Sequence, residues 1–92
     1  MIESFKHRGL KKLYTKGEGK AFPSHMIPIL EDILARLDVA KNIEAMRLPG
    51  YRLHQMTGQY KGYWSVTVSG NYRVIFQFKD GMATNLDYLD YH

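Results

Sequence analysis

At Tyr51 the spacing of the apolar residues changes, and that change constrains the fold more than any other feature of the chain. Before it, Met26, Ile27, Leu30, Ile33, Leu34 and Leu37 recur at helical intervals, with Glu31, Asp32, Arg36 and Asp38 between them. That is the period of an amphipathic helix. After it, Trp64, Val66 and Val68 alternate with Ser65, Thr67 and Ser69. Tyr72, Val74, Phe76 and Phe78 then alternate with Arg73, Ile75 and Gln77. That is the period of strands whose two faces differ. Gly70-Asn71 and Asp80-Gly81 supply hairpin turns,. Strands are therefore expected over 64–68, 72–78 and 82–89.

The rest of the chain fits around this switch. Residues 2–5 form a candidate short strand, and 9–16 a brief helix with Leu10, Leu13 and Tyr14 on one side. Ser24 resembles the cap of the main helix, but Pro28 would then delete an early backbone bond, so the start is expected to slip to His25 or beyond. Pro49-Gly50 breaks the helical pattern, and residues 51–54 read as a further short strand. A strand, two helices and a four-strand antiparallel meander can bury both apolar faces only by stacking. The expected class is α+β, with two helices on one face of a mainly antiparallel sheet of four to five strands. Neither a repeat nor a linker divides the 92 residues, so residues 1–92 make one domain,.

Composition narrows the chemistry. The chain has no cysteine, which excludes disulfides, thiolate zinc and a cysteine nucleophile, and is compatible with a reducing cytoplasm,. The longest apolar runs are a few residues, too short for a membrane span. The opening MIESFKHRGLKK lacks the apolar stretch of a signal peptide and is expected to be a mature N-terminus,. The net charge of +4 is unevenly placed. Residues 1–25 hold six cations, Lys6, Arg8, Lys11, Lys12, Lys16 and Lys20, against Glu3 and Glu18. Between Met46 and Lys79 lie Arg47, Arg52, Lys61, Arg73 and Lys79, with no acid. Tyr51, Tyr60, Tyr63, Trp64 and Tyr72 are interleaved with these cations. Basic stretches mixed with aromatics suit a polyanion with stackable bases. The plainer reading is a solvated lysine-rich helix, with Tyr63 and Trp64 as core and sheet edge.

The histidines, at 7, 25, 54 and 92, have no metal-ligand spacing,. Asp87 and Asp90 are three apart on an expected strand and point in different directions. Phosphate loops, nucleophile elbows and paired glutamates are missing from the sequence, so most catalytic classes drop out. The remaining tools are His54, Arg73 and the ending Asp90-Tyr91-His92. An imidazole and a guanidinium beside a phosphodiester suit metal-free RNA cleavage. The ribose 2′-hydroxyl attacks its own phosphate, a base takes its proton, an acid protonates the departing 5′-oxygen, and a cation holds the added charge. Histidine suits the proton steps and arginine the charge. Each has a structural alternative. His54 could be a half-buried strand residue, Arg73 could pair with Asp87 or Asp90, and the terminal residues could simply fray. His7 and His25 read as surface residues near helix starts.

The runs Tyr51-Arg-Leu-His54, Gly62-Tyr-Trp-Ser-Val-Thr-Val68 and Asn71-Tyr-Arg-Val-Ile-Phe76, with the Asp90-Tyr91-His92 ending and the opening Ile2 to Leu10, resemble the HigB-type toxins of the RelE superfamily. The resemblance covers essentially the whole chain. It implies a compact RelE-like fold and a ribosome-dependent endonuclease that cuts mRNA in the ribosomal A site without metal or cofactor. It implies a cognate helix-turn-helix antitoxin of the HigA kind, with operator DNA bound only through the toxin–antitoxin complex. It places His54, Arg73, Asp90, Tyr91 and His92 among the cleavage and mRNA-binding residues. Two positions depart from the family's best-known member. Thr57 stands where that protein has lysine, and Ser69 where it has arginine. Arg52, Lys61 and Lys79 are the expected compensating cations, with Lys6, Lys11 and Lys12 as further RNA-binding candidates. Two alternatives stay open: a ribosome-binding inhibitor that does not cut, and a weakly active co-repressor.

Overall fold

The computed structural model describes residues 1–91, so His92 lies outside the described residues. Two α-helices, α1 (Arg8–Lys16) and α2 (Ile27–Val39), precede four strands: β1 (His54–Gln55), β2 (Trp64–Ser69), β3 (Tyr72–Lys79) and β4 (Met82–Asp90). The strands form one antiparallel meander in the order β1-β2-β3-β4. Leu10 and Leu13 of α1 meet Leu30, Ile33, Leu34 and Leu37 of α2 over Val66, Val68, Val74, Phe76, Ala83 and Leu86 of the sheet. Both helices therefore cover one face, as the change of period predicts. Tyr72 and Phe78 pack at the edge of the same core.

Local chemistry explains the boundaries. His7 accepts the Leu10 N–H on Nδ1 at 3.2 Å and is the N-cap of α1. Its ring stacks on Phe22 and meets the edge of Tyr88. His7 is thus half-buried and structural, which corrects the surface assignment; His25 is exposed as expected. Gly17, at φ 70, ends α1. Ser24 does not cap α2. Residues Ser24–Met26 make a 3-10 turn, α2 starts at Ile27, and Pro28 falls in the first turn, where its missing N–H costs nothing,. Replacing His7 by alanine removes the cap acceptor, so the unfolding free energy should drop by about 1 kcal/mol. A melting point about 4–8 °C lower, read by circular dichroism, is the expected result.

Three departures from strict periodicity shape the other face. Arg52 adopts φ 48, a left-handed conformation that interrupts the expected 51–54 strand, so β1 is only His54–Gln55. The N-terminal segment is not a full strand. It makes two isolated parallel bridges to β4, Ile2 to Ala83 and Phe5 to Leu86. Asn85, at φ 54, sits in a bulge of β4 opposite Phe76. The bulge changes the parity of the strand, so Ala83 precedes it and Leu86 and Tyr88 follow it on the core side,. The 80–81 hairpin turn has both residues at positive φ, as an Asp-Gly pair permits,.

Candidate RNA-cleavage face

The sheet face away from the helices carries two of the candidate residues, His54 and Arg73. Antiparallel register places His54 opposite Ser65, Ser65 opposite Ile75, and Ile75 opposite Asp87. One step along, Thr67 faces Arg73 and Arg73 faces Leu89. Residues directly opposite share a face, so His54, Ser65, Thr67, Arg73, Ile75, Asp87 and Leu89 lie on one side. Strands about 4.8 Å apart and a two-residue step of about 7 Å put the His54 and Arg73 α-carbons about 12 Å apart. Side chains of this length can both reach a polynucleotide laid across the face.

His54 is exposed, and its Nδ1 lies 3.0 Å from the Arg52 carbonyl oxygen. Arg73 does not rest on an aspartate through Nη1: this nitrogen donates to the Gly70 carbonyl at 2.7 Å and the Tyr72 carbonyl at 3.2 Å. The guanidinium thus stands at the β2–β3 turn, at one end of the face. A guanidinium also carries donors on Nη2 and Nε. Tyr91 is exposed and follows β4 at the same end, its N–H bonded to the Asn71 carbonyl. Asp90 pairs in register with Tyr72, and its charge helps raise the Tyr88 phenol, after burial and Tyr72. It therefore lies on the Tyr88 side of the strand, whereas Asp87 lies on the Arg73 side. The two carboxylates point apart, as expected from their spacing.

The proposed RNA-binding cations divide by location. Lys6 reaches Tyr63, with its Nζ 5.2 Å from the ring centroid. Its ammonium is held above the usual range by Tyr63 first, with Asp87 contributing. Lys79 follows Arg73 at even spacing on β3 and lines a hollow with Gln77 and Thr84. Arg52 is exposed beside His54. Lys61 lines a hollow of about 440 Å³ together with Thr57 and Tyr63. Lys11 and Lys12 are exposed on α1, in the helix layer, and do not join this face. Lys6, Tyr63 and Asp87 were not recognised together from sequence, because the parallel bridges of the N-terminal segment and the bulge at Asn85 assemble them.

Two hydroxyls between the His54 and Arg73 rows, Ser65 Oγ and Thr67 Oγ1, are buried without a hydrogen-bond partner among the described residues. Buried polar atoms of this kind take a water or a substrate oxygen. Behind the face, Tyr51 donates its hydroxyl to Asp32 of α2 at 2.6 Å. Burial, then this carboxylate, push the Tyr51 phenol far up. The same bond, followed by the Arg36 contact, holds the Asp32 carboxyl below its ordinary value. A lowered folded value means the contribution is present at neutral pH and is lost as pH falls through it. Tyr51→Phe should therefore raise the Asp32 midpoint in a carboxyl NMR titration. Its melting deficit should be larger at pH 7 than in acid.

Solved structures share this architecture. The chain aligns with the YoeB–YefM heterotetrameric toxin–antitoxin complex from Staphylococcus aureus at TM-score 0.65 and 13% identity, covering 100% of this chain and 95% of that one. YafQ from Escherichia coli BL21(DE3) aligns at TM-score 0.56 and 15% identity, covering 96% and 89%. At those identities the likeness shows the fold alone. Sequence narrows it. Residues 3–92 match the family described as the RelE-like toxin of type II toxin–antitoxin system HigB. The endoribonuclease HigB of Proteus vulgaris is 44% identical over 92 residues, covering both chains completely. Toxin HigB-1 of Vibrio cholerae is 36% identical over 94 residues, covering 100% of this chain and 98% of that protein. The chain belongs to the HigB family of RelE-like type II toxin–antitoxin toxins.

Proposed function

We propose that this toxin is an endoribonuclease that cuts mRNA in the ribosomal A site by metal-independent acid–base chemistry. The observation that carries the reading is the shared face of His54 and Arg73, flanked by Lys6, Lys61, Lys79 and Arg52. The 44% identity to a protein named endoribonuclease HigB supports the endoribonuclease activity. Arg73 holds the phosphoryl oxygens as negative charge builds on them. His54 and His92 are the two proton-transfer groups. One takes the 2′-hydroxyl proton, the 2′-oxygen closes on phosphorus, and the other protonates the leaving 5′-oxygen. The products are a 2′,3′-cyclic phosphate and a free 5′-hydroxyl. Tyr91 stacks on a base, and Asp90 orients the chain end. The role of His92 rests on the family resemblance, since that residue lies outside the described ones. The carboxylates nearest the face, Asp87 and Asp90, point apart and do not pair as metal ligands, which favours side-chain acid–base chemistry.

The partner is a helix-turn-helix antitoxin of the HigA kind, consistent with the antitoxin in the related YoeB–YefM complex. Operator DNA is bound only through the complex of this toxin with its own antitoxin. The site of action is the cytoplasm; among the described residues no helix is long and apolar enough to cross a membrane. Purified toxin added to ribosomes holding mRNA with a vacant A site should cut within the A-site codon and leave free mRNA intact. Intact mRNA on the ribosome would instead support an inhibitor that binds without cutting. Equal cutting of free mRNA would remove the ribosome from the mechanism.

A further inference from the structure

The family reading leaves open which imidazole nitrogen of His54 reacts. The structure assigns the proton transfer at His54 to Nε2, with the Arg52 main chain as the positioning element that fixes the tautomer. This deepens the proposed cleavage chemistry and rests on it for the catalytic consequence, although not for the tautomer itself.

A carbonyl oxygen only accepts. His54 Nδ1, 3.0 Å from the Arg52 carbonyl, must therefore carry the hydrogen. In the neutral ring the lone pair then sits on Nε2, the nitrogen remote from the backbone. The default for a free neutral histidine is the reverse. The same chain contains an internal contrast: His7 accepts the Leu10 N–H on Nδ1 and must carry its hydrogen on Nε2. Two backbone partners of opposite polarity thus set two opposite tautomers.

The Arg52 carbonyl is held where it is by a clamped turn. Tyr51 is buried, its hydroxyl is bonded to Asp32, and its own carbonyl accepts the Thr67 N–H at 2.7 Å. Leu53 is buried on the other side. Between these anchors Arg52 takes φ 48, a region that side chains disfavour and β-branched ones strongly avoid,. Strain of this kind at a candidate site is a device for aiming a group. Here it aims a carbonyl at the imidazole two residues on. In the reaction Nε2 takes the 2′-hydroxyl proton, and the resulting imidazolium keeps its Nδ1–H on the Arg52 oxygen. In this assignment His54 is the base, and His92, named on the family resemblance, is the acid that protonates the 5′-oxygen.

The test uses the full chain with ¹⁵N-labelled histidine. Long-range ¹H–¹⁵N correlation at a pH where the rings are neutral reads each tautomer directly. The expected result is Nδ1–H for His54 and Nε2–H for His7 in one spectrum. An Nε2–H tautomer for His54 overturns the inference, whatever the cleavage assays show. Two variants then connect tautomer to rate. Arg52→Gly and Arg52→Val both lose the guanidinium, but only glycine holds a positive φ without strain. Arg52→Gly should keep the Nδ1–H tautomer and Arg52→Val should lose it. At saturating ribosome–mRNA complex, Arg52→Val should cleave about 10²-fold more slowly than Arg52→Gly, the low end of what a disabled proton transfer costs. Equal rates for the two variants, or a retained tautomer in Arg52→Val, would overturn the positioning role. If wild-type protein shows the tautomer but cuts no RNA, the cleavage reading fails and the tautomer assignment stands.

Discussion

Arg73→Ala should lower the cleavage rate about 10²–10³-fold, the usual cost of removing one preorganised donor to a transition-state charge. Arg73 is on the surface of a sheet, not in its core. It bonds the Gly70 and Tyr72 carbonyls at the end of a hairpin. The melting point should therefore move by only a few degrees, and the rate loss cannot be attributed to unfolding. Arg73→Lys separates charge from shape. Lysine keeps the positive charge but lacks the planar fork that grips two oxygens of one phosphate. An intermediate rate is expected, measured as single-turnover cutting of ribosome-bound mRNA. Full activity in Arg73→Ala would place the phosphate elsewhere, with Lys61 as the next cation to test.

Phe76→Ala should have the largest effect on stability. Phe76 is fully buried on β3, in the core that the sheet shares with the helices. Truncation of a large core side chain removes transfer energy and leaves a cavity, together worth about 3–5 kcal/mol. A domain of this size has about 5–15 kcal/mol in total. The melting point should fall by about 12–40 °C, as each kcal/mol is worth about 4–8 °C here. Ile75, next to it, is also buried but points to the opposite face, between Ser65 and Asp87. Ile75→Ala should therefore disturb the floor of the candidate site in addition to the fold. Equal thermal losses with unchanged cleavage in both variants would argue against that floor having a role.

Periodicity made most of this legible. The helical spacing of Leu30, Ile33, Leu34 and Leu37 and the alternation of β2 and β3 determine which side of the sheet is covered. They also put His54 and Arg73 on the side left open. The Gly70 and Asp80-Gly81 turns give the meander its order. The parts that strict periodicity missed are those that break it. A left-handed Arg52 shortens β1, and nothing in an Arg-Leu-His run announces a positive φ. The bulge at Asn85 shifts β4 by one residue, so Asp87 comes onto the open face and Asp90 leaves it. The N-terminal segment lies parallel to β4, a long-range pairing with no local signature, and it carries Lys6 to Tyr63. His7 caps a helix, a role normally played by a shorter polar side chain. The shared face of His54 and Arg73 was therefore readable from the sequence, but the aim of their side chains was not, because aim depends on single backbone conformations.

The central claim is that this face cuts mRNA during translation. The most direct test maps RNA 5′ ends in cells after induction of the toxin without an antitoxin, for wild type, Arg73→Ala and His92→Gln. New 5′-hydroxyl ends within translated codons should appear with wild type, coincide with growth arrest, and disappear in both variants while folded protein persists. Growth arrest without new ends, or ends that persist in Arg73→Ala, would contradict the account.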